Sequence, residues 1–336
     1  MMKAVRIKKT GGPETLSFES LPDPKPDRGE ALVRMEYCAV NHLDIWVRLG
    51  NVPVVLPRIL GSEGIGVIED LGPDTKWEQD PSVIVTPWIY PNDQLHQPAN
   101  AYAGVVGVAR DGCYAQKTCV PLSCLRPMPK ALDPQKAAGL TLTAATAYHM
   151  AITLSGIRPG ERVFIAGATG GVGLTAIQIC RAAGATVYAA SRSPEKRRRL
   201  KEWGADEVFD TSGDFDKKIR EATGGLGVEV VLETVGKATW DKSLAILKPG
   251  GRLAFCGSTS GSDYTINLQR VYRNELALLG SYGATPVEID AVFRLAEKGL
   301  LESAVDSIFP LEQADEAHRK MEKAEHFGKI LLSMKD

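Results

Sequence analysis

The segment Val163-Phe164-Ile165-Ala166-Gly167-Ala168-Thr169-Gly170-Gly171-Val172-Gly173 runs an apolar strand straight into a glycine turn, and Leu174, Ala176, Ile177 and Ile179 continue it as one face of a helix. Glycines let the backbone approach a pyrophosphate, and a helix N-terminus offers unpaired N–H groups and a positive dipole end. Strand, turn, helix and the next strand at Thr186 fit one unit of about 30 residues, the context in which such a turn binds a dinucleotide. Gly170, Gly171, Val172 and Gly173 are its expected contacts. Ala168 stands where the first glycine of G-x-G-x-x-G would fall. The competing reading is a loop that needs small residues for packing alone.

Cofactor choice is read at the end of the second strand, where an NAD site usually carries an acid for the ribose hydroxyls. Here the chain reads Ala190-Ser191-Arg192-Ser193-Pro194-Glu195-Lys196. With no acid in place, Ser191, Arg192 and Lys196 can donate to a 2′-phosphate, so NADPH is the expected cofactor. Arg197, Arg198 and Arg199 read as a solvated basic helix face.

Two kinds of rhythm must position these groups. Residues 1–125 read as short strands (Lys3–Lys8, Leu16–Glu19, Ala31–Val40, Gly64–Glu69) separated by Gly- and Pro-rich turns, with one helix over Asn41–Leu49 ended by Gly50. Near Asp133 the pattern changes. A long helix over Gln135–Ile152 is expected, followed by strands at Val163–Ala166, Thr186–Ala190, Glu207–Asp210, Glu229–Glu233, Arg252–Cys256 and Ala277–Gly280, with helices between them. Alternating β and α elements with continuous apolar strands predict a parallel sheet covered on both faces. Helices over Val287–Lys298 and Leu311–Lys323 and a strand at Ile330–Met334 close the chain. The fold class is α/β: an irregular β domain (1–128 and 284–336) plus a doubly wound Rossmann domain (129–283).

Composition excludes several classes. The 336 residues carry 40 Lys plus Arg against 41 Asp plus Glu, a net charge of −1 that gives no global field for nucleic acid or an anionic membrane. No apolar run approaches the roughly 18 residues of a membrane span. Met1-Met2-Lys3-Ala4-Val5-Arg6 lacks a signal-peptide core, so the expected address is the cytosol. Cys38, Cys113, Cys119, Cys124, Cys180 and Cys256 form no C-x-x-C pair and are expected to be reduced thiols.

Other marks extend over nearly the whole chain: Asn41-His42-Leu43-Asp44 with Arg48-x-Gly50, Pro57-x-Ile59-Leu60-Gly61-Ser62-Glu63-Gly64-x-Gly66, Leu142-Thr143-Ala144-Ala145-Thr146-Ala147-Tyr148, Val231-Leu232-Glu233-Thr234-Val235-Gly236, Leu279-Gly280-Ser281-Tyr282-Gly283 and Gly328-Lys329-Ile330-Leu331. With these the chain resembles the medium-chain dehydrogenase/reductase superfamily, and its N-x-x-D-x-x-x-R-x-G pattern is similar to the quinone oxidoreductase branch. The resemblance implies a GroES-like first domain. It implies Thr146, Val235, Cys256 and Ser258 as further cofactor contacts, and a homodimer or homotetramer joined through the edge strand of the cofactor sheet.

The resemblance also says where a catalytic zinc would sit. Those positions carry Asn41, Ser62 and Leu142, an amide, a hydroxyl and an alkyl chain, which make no stable zinc shell. The segment Pro91–Gly107, where zinc relatives place four cysteines, has none and reads as a long loop. Leu43 and Trp46 fall at the proton-relay positions, and neither accepts a proton. The metal-free branch implies NADPH-dependent reduction of an electron-poor C=C bond in a small-molecule quinone, enone or enoyl thioester. Asn41 is the candidate catalytic contact; as an alternative of equal weight it caps the helix behind it. His42, His96 and His149 are weak candidates for proton transfer. Asp44 and Arg48, four apart on a helix, predict an ion pair. A zinc alcohol dehydrogenase and a non-catalytic NADPH-binding protein are the competing classes.

Overall fold

In the computed structural model, which describes residues 1–90 and 104–335, the chain divides into two compact units. One comprises Met1–Leu142, Thr285–Glu297 and Glu302–Asp336, the other Thr143–Ala284 with Lys298–Leu301.

The second unit follows from its apolar strand runs. Arg162–Ile165, Thr186–Ala190, Glu207–Phe209, Val228–Glu233, Leu247–Phe255 and Ala277–Gly280 form one six-stranded sheet, all pairs parallel. Numbered in sequence order its strands lie 3-2-1-4-5-6, so the order reverses beside the first strand, the place where such sheets bind ligands at the strands' carboxyl ends. Phe164, Tyr188, Phe215, Val231, Trp240 and Leu253 fill its core, with the Phe164 and Phe215 rings stacked at 5.4 Å.

The first unit holds the strand order Leu125–Pro127, Ser82–Val85, Gly64–Leu71, Glu30–Val40, Lys329–Ser333, Val305–Pro310, with Lys117–Pro121 also paired to Glu30–Val40. Leu16–Leu21, Met2–Ile7 and Arg58–Ile59 make a separate three-stranded sheet. One register matters for the site. Ile330 pairs with Val40, so the closing strand delivers Lys329 beside Asn41.

The long helix expected over Gln135–Ile152 is broken in three: Pro134–Ala138, Thr141–Tyr148 and a π-helical turn His149–Leu154. Asp133 starts the first piece by accepting from Gln135 N at 2.9 Å and Lys136 N at 3.1 Å, a cap worth about 1 kcal/mol. Its end, with Gly139 as the C-cap, meets two contacts from elsewhere in the chain. A Cβ on Gly139 would meet the Lys329 side chain at 3.1–3.2 Å, and the Leu142 N–H leaves the helical ladder to bond Glu63 Oε2 at 2.7 Å. Strands Ser82–Val85, Lys117–Pro121, Leu125–Pro127 and Val305–Pro310 and the helix Leu268–Arg273 were not expected from the sequence. His96 and most of the Pro91–Gly107 segment lie outside the described residues.

Candidate functional site

In the second unit, the strand Arg162–Ile165 leads through Gly167 (φ +73°) to Gly170, which begins the helix Gly171–Ala182. The glycines differ in what they permit. A Cβ on Gly173 would stand 2.5 Å from Ala168 Cα, so this residue lets the helix pack against the turn, whereas one on Gly170 would meet nothing nearer than 3.7 Å. Gly170 therefore leaves open the side a pyrophosphate can approach. The helix is 12 residues long, and its first-turn N–H groups have no intrahelical acceptors.

The neighbouring loops are tied to this turn. Thr234 Oγ1 donates to Ala166 O at 2.9 Å, and Val235 Cγ2 stands 3.2 Å from where a Cβ on Gly167 would be. Buried Glu233 accepts from Val235 N, Gly236 N, Thr239 Oγ1 and Ser243 Oγ. Ser260 N and Oγ both donate to Val235 O. These bonds fix the Val235 and Cys256–Ser258 loops against each other at the carboxyl ends of adjacent strands. Burial pushes the Cys256 thiol up to about 12, so it is held as the neutral thiol. Thr146 lies buried in the helix Thr141–Tyr148.

At the end of Thr186–Ala190, Ser193 caps the helix Pro194–Glu202 by accepting from Lys196 N at 3.3 Å. Arg192 is exposed and has no ion pair among the described residues. Arg197 does not belong to the solvated face expected of it. It donates to Ser191 O and Arg192 O at 2.9 Å and pairs with Asp210 at 3.2 Å. It shapes the turn that presents Ser191 and Arg192, and it occupies the carboxylate at the end of the adjacent strand.

In the first unit, Asn41, Glu63 and Lys329 form a buried network, 4 %, 0 % and 2 % exposed. Lys329 Nζ donates to Asn41 Oδ1, to Val40 O at 3.1 Å and to Glu63 Oε1 at 3.2 Å. Asn41 Nδ2 donates to Glu63 Oε1 at 3.1 Å and, weakly, to Ala39 O at 3.4 Å. Asn41 also begins the helix His42–Leu49: its N–H donates to Asp44 Oδ2 at 2.8 Å, half of a capping box. The Asn41 side chain makes no cap bond; the backbone begins the helix while the side chain belongs to the polar network.

The expected Asp44–Arg48 pair does not form. Asp44 accepts from Asn41 N, from Gly61 N at 3.0 Å and from Tyr114 Oη at 3.2 Å, while Arg48 pairs with Glu322. Tyr114 Oη also shares a 3.0 Å bond with His318 Nε2. Burial raises Asp44 to about 6, against the pull of its donors. Burial, then the Lys329 charge, holds His42 down to about 4, and burial, then the Arg48 charge, holds His318 to about 3.

Of the three positions aligned with zinc ligands, Asn41 Oδ1 is bound by an ammonium, Ser62 offers a buried neutral hydroxyl with no hydrogen-bond partner, and Leu142 contributes only its backbone N–H. That donor set does not fit a zinc ion. Among the described residues no group of three His, Cys, Asp or Glu side chains is placed to hold a metal, and no helix is long and apolar enough to cross a membrane. Lys329, Glu63, Tyr114 and His318 were missed as site residues. The signal for Lys329 was a lone charge between Gly328 and an apolar strand.

A β unit joined to a doubly wound sheet with this glycine turn defines a two-domain oxidoreductase of the medium-chain type. Residues 27–130 match the family model of the alcohol dehydrogenase GroES-like domain and residues 171–298 that of the zinc-binding dehydrogenases. An acryloyl-coenzyme A reductase of Sulfurisphaera tokodaii is 28 % identical over 98 % of this chain and 99 % of its own. A quinone oxidoreductase of Pseudomonas aeruginosa is 29 % identical over 99 % of both chains. A crystal structure described as an NAD-dependent alcohol dehydrogenase superposes with a TM-score of 0.94 at 35 % identity, covering 99 % of each chain. The chain belongs to the medium-chain dehydrogenase/reductase superfamily, in its quinone oxidoreductase-like branch, and is an oxidoreductase.

Proposed function

We propose that this chain is a metal-independent NADPH-dependent reductase of electron-poor C=C bonds, acting on a small quinone, enone or enoyl thioester. The observation that carries the reading is the bond from Lys329 Nζ to Asn41 Oδ1. The one Lewis-basic side-chain atom that Asn41 could offer a metal is already bound to a cation, and Ser62 and Leu142 offer no anionic donor.

Alcohol oxidation needs a Lewis acid or a base to take the hydroxyl proton. Leu43 and Trp46 cannot accept one, and His42, held near 4, is a poor base. Conjugate reduction has no such requirement, because the enolate formed takes its proton later from solvent. NADPH, when bound, supplies the hydride. Gly170, Gly171, Val172 and Gly173 would hold its pyrophosphate, Ser191, Arg192 and Lys196 its 2′-phosphate, and Thr146, Val235, Cys256 and Ser258 its nicotinamide end. Asn41 would donate to the carbonyl oxygen on which negative charge develops. The names of the acryloyl-coenzyme A reductase and the quinone oxidoreductase agree with this substrate class.

The 35 % identity to a chain described as an NAD-dependent alcohol dehydrogenase favours a second reading, alcohol oxidation. Deuterium-labelled NADPH separates the two. Label is expected at the β-carbon of a reduced enone. Label at a carbonyl carbon, or robust oxidation of primary or secondary alcohols with NADP⁺, would overturn the proposal.

A further inference from the structure

We infer that Lys329 is a positioning residue for hydride transfer, acting through the Asn41 amide; the inference rests on the role proposed for Asn41 above. An ammonium has three donors and no acceptor, and a carboxylate only accepts. Lys329 on one side and Glu63 on the other therefore leave the amide a single orientation, with Oδ1 toward Nζ and Nδ2 toward Glu63 Oε1. All three N–H bonds of Lys329 are spent, on Val40 O, Asn41 Oδ1 and Glu63 Oε1. Lys329 thus has none left for a substrate and must act through its neighbour.

The amide has one donor in reserve. Its second N–H reaches Ala39 O only at 3.4 Å, near the limit of a useful bond, and can be shared with a stronger acceptor lying on that side without the amide moving. An oxyanion is such an acceptor. The ammonium on Oδ1 draws electron density through the amide and strengthens that donor, an effect little screened because Lys329 and Glu63 are both out of water. The fold commits several elements to the arrangement. The strand register sets Lys329 beside Asn41, Gly139 leaves room for the lysine stem, and Glu63 Oε2 is fixed by Leu142 N.

The test is a double-mutant cycle on the full-length enzyme. Lys329→Met alone would leave Glu63 charged, buried and unpaired, and the protein could fail to fold. The perturbation is therefore the pair Lys329→Met/Glu63→Gln, which removes both charges together. The cycle comprises wild type, this pair, Asn41→Ala and all three changes, each checked by circular dichroism and by fluorescence titration with NADPH. The pair and Asn41→Ala should each lower kcat about hundredfold, the low end of the range for an oxyanion donor. NADPH affinity should change less than about twofold, and Asn41→Ala should add almost nothing on top of the pair, because coupled groups are not additive. A pair variant that keeps wild-type kcat, or losses that multiply, would overturn the inference. The cycle is run on whichever acceptor or alcohol the wild type turns over. Failure of the proposed reaction type would show in the product label, and failure of the clamp in the coupling.

Discussion

Asp44 and Arg48 stand one turn apart on one helix and do not bond each other: Arg48 pairs with Glu322, and Asp44 gathers Asn41 N, Gly61 N and Tyr114 Oη. The pairing rule for residues four apart describes side chains that meet on a solvated helix face. Both residues here are buried, at 2 % and 0 % exposed, and tertiary partners decide. Asp44 joins the start of the Asn41 helix to the Gly61-Ser62-Glu63 turn, the two segments that carry the polar network. Removing it strands two buried N–H donors, those of Asn41 and Gly61, and leaves the Tyr114 hydroxyl only His318. Asp44→Ala should cost about 3 kcal/mol or more of unfolding free energy, read by urea denaturation. A loss below about 1 kcal/mol would show that water replaces the carboxylate.

Stability should fall as pH drops below about 6.5. His318 and His42 prefer the neutral form when folded, at about 3 and about 4. The unfolded chain therefore takes up their protons first, and stability is lost as pH falls from the unfolded value of about 6.5 toward those levels. Asp44 opposes this. Raised to about 6, it makes the folded state the better proton binder between about 4 and 6, so its contribution grows as pH falls through that window. Two histidines outweigh one carboxylate, leaving a net slope of about 1.4 kcal/mol per pH unit between 4 and 6 from these groups. His318→Asn should flatten that slope in urea titrations from pH 4.5 to 7.5. An unchanged slope would mean His318 is protonated in the fold.

NADPH should bind more tightly than NADH, and Arg192→Ala should weaken NADPH about tenfold to hundredfold, the worth of a charge-assisted bond, while sparing NADH. Arg197 gives the internal control. Its guanidinium holds the Ser191 and Arg192 carbonyls, so Arg197→Ala should loosen the turn and weaken both cofactors. Equal losses of both cofactors from Arg192→Ala would remove that residue from phosphate recognition.

How far the sequence reaches depends on the distance over which its signals act. The glycine turn, the alternating strands and the Asn41 helix with Gly50 behind it (φ +85°) are written in local spacing, and the structure places them within a residue or two, except that the strand expected at Arg252–Cys256 begins five residues earlier, at Leu247. Gln135–Ile152 looked continuous because its residues favour helix. What meets the break, the Lys329 stem against Gly139 and Glu63 on Leu142 N, arrives from elsewhere in the chain. The Lys329–Asn41 bond spans 288 residues and has no local pattern. The same holds for Tyr114 and His318, 204 residues apart. Arg197, by contrast, sat in plain view. Its neighbours Arg198 and Arg199 made the run look like a solvated face.

Activity should be indifferent to chelators, and the purified protein should carry less than stoichiometric zinc, because Asn41, Ser62 and Leu142 offer no anionic or imidazole donor. Elemental analysis beside activity after chelation measures both. One zinc per chain, with activity lost on its removal, would contradict the metal-independent reading.

The chain should associate through the outer strand of the cofactor sheet. Ala277–Gly280 pairs on one side with Leu247–Phe255 and lies at the end of the strand order, so its other edge carries backbone groups that invite a partner strand. Its side chains are only half-buried, and apolar residues cluster in sequence around it: Leu268, Tyr272 and Tyr282 are 72 %, 62 % and 66 % exposed. An apolar edge of this kind is costly to leave in water. A second copy related by a two-fold axis presents the same edge in the complementary direction, which extends the sheet and closes the contact at two chains. Light scattering at micromolar concentration should therefore give a dimer or a tetramer built from dimers. Leu278→Lys puts a charge on the strand at a half-buried side chain that also packs against the core of this unit, so with folding checked by circular dichroism it should shift the population to monomer. A wild-type monomer at those concentrations would refute the assignment, and an oligomer that Leu278→Lys leaves intact would place the interface elsewhere.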